Sequence, residues 1–171
     1  MDRTDYKTLP EAVQRVAQVL RERAHEHSPV MLDAAARTAQ QAADALGVAL
    51  GQIAKSIVFK RKPDAVAVLV ITSGDRRVDE AKVQALVCGD GQKLGRADAE
   101  FVKASTGFSI GGVSPVGHTG MPVLLIDQEL LRFDEIWAAA GHPHAVFKLQ
   151  AQDLARLTSA PLADVALKEL V

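Results

Sequence analysis

The sequence has a single cysteine among its 171 residues. Cys88 alone closes no internal disulfide and supplies no cysteine-based zinc cluster, so a reducing, cytoplasmic setting is the expectation. It follows Ala-Leu-Val and reads as a buried, inert thiol. Aromatic residues make up only 4%, which leaves Ala, Val, Leu and Ile to build the core. No apolar run approaches the roughly 18 residues of a membrane span. Met1 to Tyr6 hold no apolar stretch of the kind a secretion signal uses. Neither sign of charge is in excess, and the net value of −1 gives no general pull toward DNA or other polyanions. The common nucleophile and phosphate signatures are missing too: there is no G-x-S-x-G, no Walker loop and no G-x-G-x-x-G. Gly89-Asp-Gly91 reads as a turn.

Two histidine pairs, His25-Glu-His27 and His142-Pro-His144, have the look of metal ligands. Neither comes with an H-E-x-x-H helix or a cysteine partner, so both read as solvated loop residues, and no metal or cofactor is expected. Charge is uneven along the chain. Residues 55–103 carry +3 (ten basic, seven acidic) and residues 104–171 carry −3 (four basic, seven acidic). A basic middle of this size reads as a solvated face rather than a polyanion clamp.

What is present suits one α+β domain over residues 1–171, at 48% hydrophobic residues. Val13, Val16, Ala17 and Leu20 fall on one face of a helix over about 10–24. A second helix is expected over 33–46, with Asp33 as its cap and Gly47 as its stop. Ile53–Lys60 and Ala65–Thr72 read as strands joined by a turn, the second apolar enough to be covered on both faces. Asp79 is placed to cap a helix over 80–87, and 98–105 forms another. Strands follow at 123–126 and 145–149, 133–140 is either a strand or an irregular apolar segment, and a turn is expected at 141–144. A helix is expected over 151–158 and a last strand over 165–167. Short turns between strands, without a regular strand–crossover–helix alternation, favour a mixed sheet or barrel over a doubly wound fold.

Two segments carry the chemistry. Lys55 stands at the start of a β-branched strand, where an ammonium loses hydration unless something anionic meets it. It either snorkels to the surface or points into a cleft. Ile110-Gly-Gly-Val-Ser-Pro-Val-Gly-His-Thr-Gly120 has four glycines in eleven residues. It is either a tight turn or a stretch of exposed main-chain N–H groups that could hold a carbonyl oxygen.

Taken in order, Ile53-Ala-Lys-Ser-Ile-Val-Phe59, Gly74-Asp75, Gly111-Gly-Val-Ser-Pro-Val-Gly117 and Ala140-Gly-His-Pro-His144 resemble the YbaK/ProX family over about residues 25–168. That family comprises free-standing relatives of the editing domain of bacterial prolyl-tRNA synthetases. The resemblance implies an α+β fold around a mixed, barrel-like sheet, and hydrolysis of amino acids misattached to tRNA. It implies that Lys55 contacts the aminoacylated 3′-terminal adenosine, and that Gly111 and Pro115 belong to a Gly-x-x-x-Pro loop beside the scissile ester. His142 falls where several prolyl-type members carry a histidine. The implied catalytic set is Lys55, Gly111 and His142. Gly112, Val113, Ser114, Pro115, Gly117 and His118 would bind substrate. The implied partners are the aminoacyl-tRNA acceptor end and a prolyl-tRNA synthetase, with no membrane and no DNA. Alanine, serine, cysteine and 2-aminobutyrate all stay open as the amino acid removed. The other reading is a non-catalytic module that binds aminoacyl or nucleotide 3′ ends.

Overall fold

The computed structural model describes residues 8–168; Met1 to Tyr6, read above for a signal, lie outside that range. Helix α1 (Glu11–Glu22) buries Val13, Val16, Ala17 and Leu20, the stripe its periodicity predicts. Strand β1 (Val30–Met31) and helix α2 (Ala39–Leu46) follow. Asp33 does not cap α2. The helix starts six residues later, where Thr38 Oγ1 accepts from the Gln41 amide at 3.1 Å, and Gly47 ends it in the left-handed region. Residues 32–36 are instead tied to a distant hairpin, with the Leu32 amide donating to His144 O at 2.6 Å and the Ala36 amide to Pro143 O at 2.7 Å.

Strands β2 (Ile53–Lys62) and β3 (Val66–Ser73) form an antiparallel pair from Ala54 to Arg61 of β2, along all of β3. Helix α3 (Glu80–Val87) is capped by Asp79, strand β4 (Lys93–Arg96) follows, and helix α4 (Ala99–Thr106) is capped by Asp98. Strand β5 (Val123–Asp127) leads through a 3-10 turn into β6 (Glu135–His142), which pairs with β7 (Ala145–Gln150). Helix α5 (Asp153–Thr158) and strand β8 (Leu162–Ala163) complete the described chain. The last strand therefore precedes 165–167, where Ala166 makes only an isolated bridge to Val78. Gly141 and His142 belong to β6, so the turn expected over 141–144 shrinks to Pro143-His144.

Among the described residues the architecture is α+β with one mixed eight-stranded sheet, seven strands in the order β1-β7-β6-β2-β3-β5-β8 and β4 branching off beside β2. Strand β3 is covered on both faces, as its unbroken apolar run requires. Leu69 and Ile71 face one core, with α1, β6 and β7, while Val68 and Val70 face a second, with Phe59 and Val83. Fully burying an aliphatic side chain of this size is worth about 1.5–3 kcal/mol.

The feature that positions the site is a split along β2. Its outer edge runs parallel to β6 only at Ile53 and Ala54. The same edge then pairs with β4 only from Phe59 to Lys62. Between these contacts, no strand among the described residues lies beside Lys55 to Val58 on that side. Strand β6 is also irregular against β7 between Ala139 and His142, a bulge of the kind that re-aims side chains next to binding sites. Gly141 permits α1 to pack on this bulge: its φ is +97°, and an added Cβ would lie 2.9 Å from Ala12 O.

Candidate active site

A cavity of about 300 Å³ opens where β2 and β6 part, and its lining includes Lys55, Gly111, Val113 and His142. The lead-in to α2 closes it on another side through Arg37 and Thr38. Much of the remaining wall is alanine, at positions 36, 39, 42, 54, 138, 139 and 145. At about 300 Å³ the space has the size of a small-molecule site rather than of a channel for a nucleotide chain. No aspartate or glutamate among the described residues lines it.

Lys55 is half-buried. Burial pushes its ammonium below the usual lysine range, Asp75 and Asp127 oppose that shift, and Arg77 adds to it. Neither carboxylate is free to pair with it. Asp75 is held by Arg132, whose Nη2 donates to Oδ1 at 2.7 Å and Nη1 to Oδ2 at 3.1 Å, and this keeps the carboxyl below its usual range. Asp127 is fully buried and accepts from Thr72 Oγ1 at 2.6 Å and the Glu129 amide at 3.0 Å. A partly desolvated cation whose nearest anions are committed elsewhere is an electrostatic site for an incoming oxygen or phosphate.

The glycine loop divides in two. Gly111 and Val113 line the cavity. Gly112 sits against β6, where an added Cβ would fall 2.8 Å from the His142 nitrogen, and its amide donates to Ser109 O at 3.0 Å. Ser114 is fully buried, and its Oγ accepts from the Val116 amide at 3.1 Å. The loop then turns away. Pro115, Gly117 and His118 line a separate hollow of about 200 Å³. The structure thus brings Lys55, Gly111, Val113 and His142 together and sets the second half of the loop apart from them.

His142 accepts the His144 amide on Nδ1 at 3.1 Å. In the neutral ring the proton therefore sits on Nε2, which makes it a donor rather than a base at that atom. Among the described residues no group of three His, Cys, Asp or Glu is placed to hold a metal ion, and no helix is long and apolar enough to cross a membrane.

His118 has a structural environment. Its Nε2–H donates to Ser114 O at 2.7 Å, and its ring meets Phe108 edge-on at 5.8 Å. Burial depresses its pKa below 6.5, against the raising effect of the Ser114 carbonyl. The unfolded chain then binds this proton more readily, so the group's stability is fully present above about pH 6.5 and is lost as pH falls below it. Thermal unfolding followed from pH 7.5 to 5 is expected to show this decline. His118→Gln is expected to flatten it, and an unaltered slope would exclude the residue as its source.

Three lining residues, Arg37, Ser56 and Trp137, escape the sequence reading. Arg37 sits in an alanine-rich helical pattern, and Ser56 is overshadowed by Lys55. Trp137, the only tryptophan, was a visible signal in a chain poor in aromatics.

Residues 33–157 match the model of the aminoacyl-tRNA editing domain. YwhH of Bacillus subtilis is 30% identical over 133 residues, spanning 78% of this chain and 82% of that protein. A solved structure described provisionally as a trans-editing enzyme for prolyl tRNA synthetase is 40% identical. It superposes with a TM-score of 0.84 over 94% of this chain and 100% of that one. The proline–tRNA ligase of Thermoanaerobacter sp. (strain X514) is 31% identical over 94 residues. That match spans 55% of this chain but only 16% of the ligase. On the match along residues 33–157, the chain belongs to the aminoacyl-tRNA editing domain family.

Proposed function

We propose that this protein is a trans-acting deacylase that hydrolyses the ester of mischarged aminoacyl-tRNA, acting on a prolyl tRNA that carries a small amino acid. One observation carries the reading: an unpaired ammonium, a glycine loop and a histidine donor converge on one alanine-lined cavity. Family membership and the similarity to a described trans-editing enzyme support it.

An aminoacyl ester is already activated, so the site needs no nucleophilic side chain. A water oxygen bonds to the acyl carbon, the acyl–oxygen bond to the ribose breaks, and the proton from water ends on the ribose oxygen. The protein's part is to hold the ester in place and stabilise charge on its carbonyl oxygen. Lys55 supplies the cation that fixes the terminal phosphate or ribose. The Gly112 amide is already bonded, so carbonyl holding falls to the amides on either side of it, at Gly111 and Val113. His142 presents Nε2–H to the water or to a ribose hydroxyl, which makes it an orienting donor. The acceptor end of tRNA is the partner, a prolyl-tRNA synthetase fits beside it, and the cytoplasm is where both are met.

Release of labelled amino acid from mischarged prolyl, alanyl and cysteinyl tRNAs, with and without the protein, tests this. At least one prolyl tRNA carrying a small residue is expected to turn over. No acceleration above spontaneous hydrolysis for any member of the panel would overturn the reading.

A further inference from the structure

Two buried side-chain polar atoms among the described residues lack a hydrogen-bond partner, Ser56 Oγ and Trp137 Nε1. Both residues line the same cavity. An unsatisfied buried group carries an uncompensated desolvation penalty, and a binding site is one place where such a penalty is kept.

Strand geometry separates the two. Side chains alternate along β2, so Ser56 lies on the face of Ala54 and opposite to Lys55. Ala54 is in register with Ala138 and shares a core with Val113 and Ala138. Ser56 therefore stands on a wall of small apolar residues and supplies its one side-chain polar atom. Trp137 is in register with Ile53, on the Lys55 face, and its ring lies under the Lys148 ammonium at 6.0 Å. Ser56 is the adjustable member of the pair. In its present rotamer the hydroxyl makes no bond, so a turn about χ1 toward the cavity forfeits none.

We propose that Ser56 reads the acyl side chain and favours a hydroxyl-bearing aminoacyl group, as in a seryl ester, over its alanyl counterpart. This rests on the deacylase reading of the same cavity. A substrate hydroxyl can both donate to and accept from Ser56 Oγ, whichever way the serine proton points. A methyl group in that position leaves Ser56 buried and still unpaired. The rest of the wall is apolar and separates such close analogues weakly.

The test uses seryl and alanyl esters on one tRNA body, with the full chain and Ser56→Ala. The wild type is expected to prefer the seryl ester. Ser56→Ala is expected to lower the seryl-to-alanyl ratio of kcat/KM about tenfold, the order of one hydrogen bond. Because the hydroxyl has no partner in the free protein, the variant's Tm is expected to stay level or rise. Turnover of both esters with an unchanged ratio, a wild-type preference for alanyl, or a fall in Tm would overturn this inference alone. Turnover of neither ester by the wild type would also overturn this inference, and the deacylase reading falls with it only where every other mischarged tRNA of the panel is left intact as well.

Discussion

Replacing Lys55 by alanine is expected to lower hydrolysis of mischarged tRNA by about 10²–10³-fold, the usual cost of removing one preorganised electrostatic group from a reacting centre. The fold should not suffer. Burial depresses the Lys55 ammonium, so the unfolded chain holds that proton more firmly than the folded one. Folding is then penalised by this residue at every pH below the ordinary lysine value. Asp75 is satisfied by Arg132 and Asp127 by Thr72, so neither loses a bonded partner when the lysine goes. Lys55→Ala should therefore match or exceed the wild type in Tm while losing its rate, and Lys55→Met should do the same with the aliphatic stem retained. Single-turnover deacylation and thermal unfolding of the same preparations read the two effects separately. Wild-type-like turnover would remove Lys55 from the site, and a collapse in Tm would make it a structural residue.

Gly112→Ala should be nearly as damaging, through position rather than charge. Its new Cβ would meet the His142 nitrogen, Cα and carbonyl carbon at 2.8, 2.9 and 3.0 Å. Those are backbone atoms of a paired strand and do not yield as the end of a long side chain does. The loop must lift from β6, which moves Gly111 and His142 apart across the cavity. A displacement near 1 Å at a reacting centre costs about 10²-fold in rate, and overpacking of this kind destabilises by about 1–3 kcal/mol. Gly89→Ala is the control, because its added Cβ would meet only Gln92 Oε1, at 3.7 Å. Equal activity in the two variants would show that the loop does not depend on its contact with His142.

The sequence made the periodic elements readable and left their lateral arrangement hidden. The α1 stripe and the apolar run of β3 report burial directly, Asp79 announces the helix that follows it, and the structure adds Asp98 as a second aspartate cap. Asp33 carries the same chemical signal as those caps, but main-chain bonds to the His142 hairpin claim the segment after it, and a cap residue cannot reveal a partner more than a hundred positions away. Strands β1 and β4 have too few residues for alternation to show. The candidate site was half legible. Lys55 stood out because an ammonium in a β-branched run is anomalous, and glycine density marked the loop. That Pro115, Gly117 and His118 face a different hollow from Gly111 depends on how the loop bends, which composition does not encode. Ser56 and Trp137 stand out only once their missing partners can be seen in three dimensions.

Helix α1 precedes residue 33, where the editing-domain match begins, yet it supports the glycine loop from behind. Arg15 Nε donates to Gly117 O at 2.6 Å, its Nη2 to Gly107 O at 3.2 Å, and its guanidinium lies over the Phe108 ring at 4.8 Å. The transplantable unit is accordingly larger than the segment shared across the family. A graft of residues 33–157 into another host would arrive with the Gly117 carbonyl uncovered, the Gly107 carbonyl held only by Lys103 Nζ at 3.3 Å, and a vacant seat beside Gly141. Any host that carries such a segment has to furnish a brace of its own where α1 stands here.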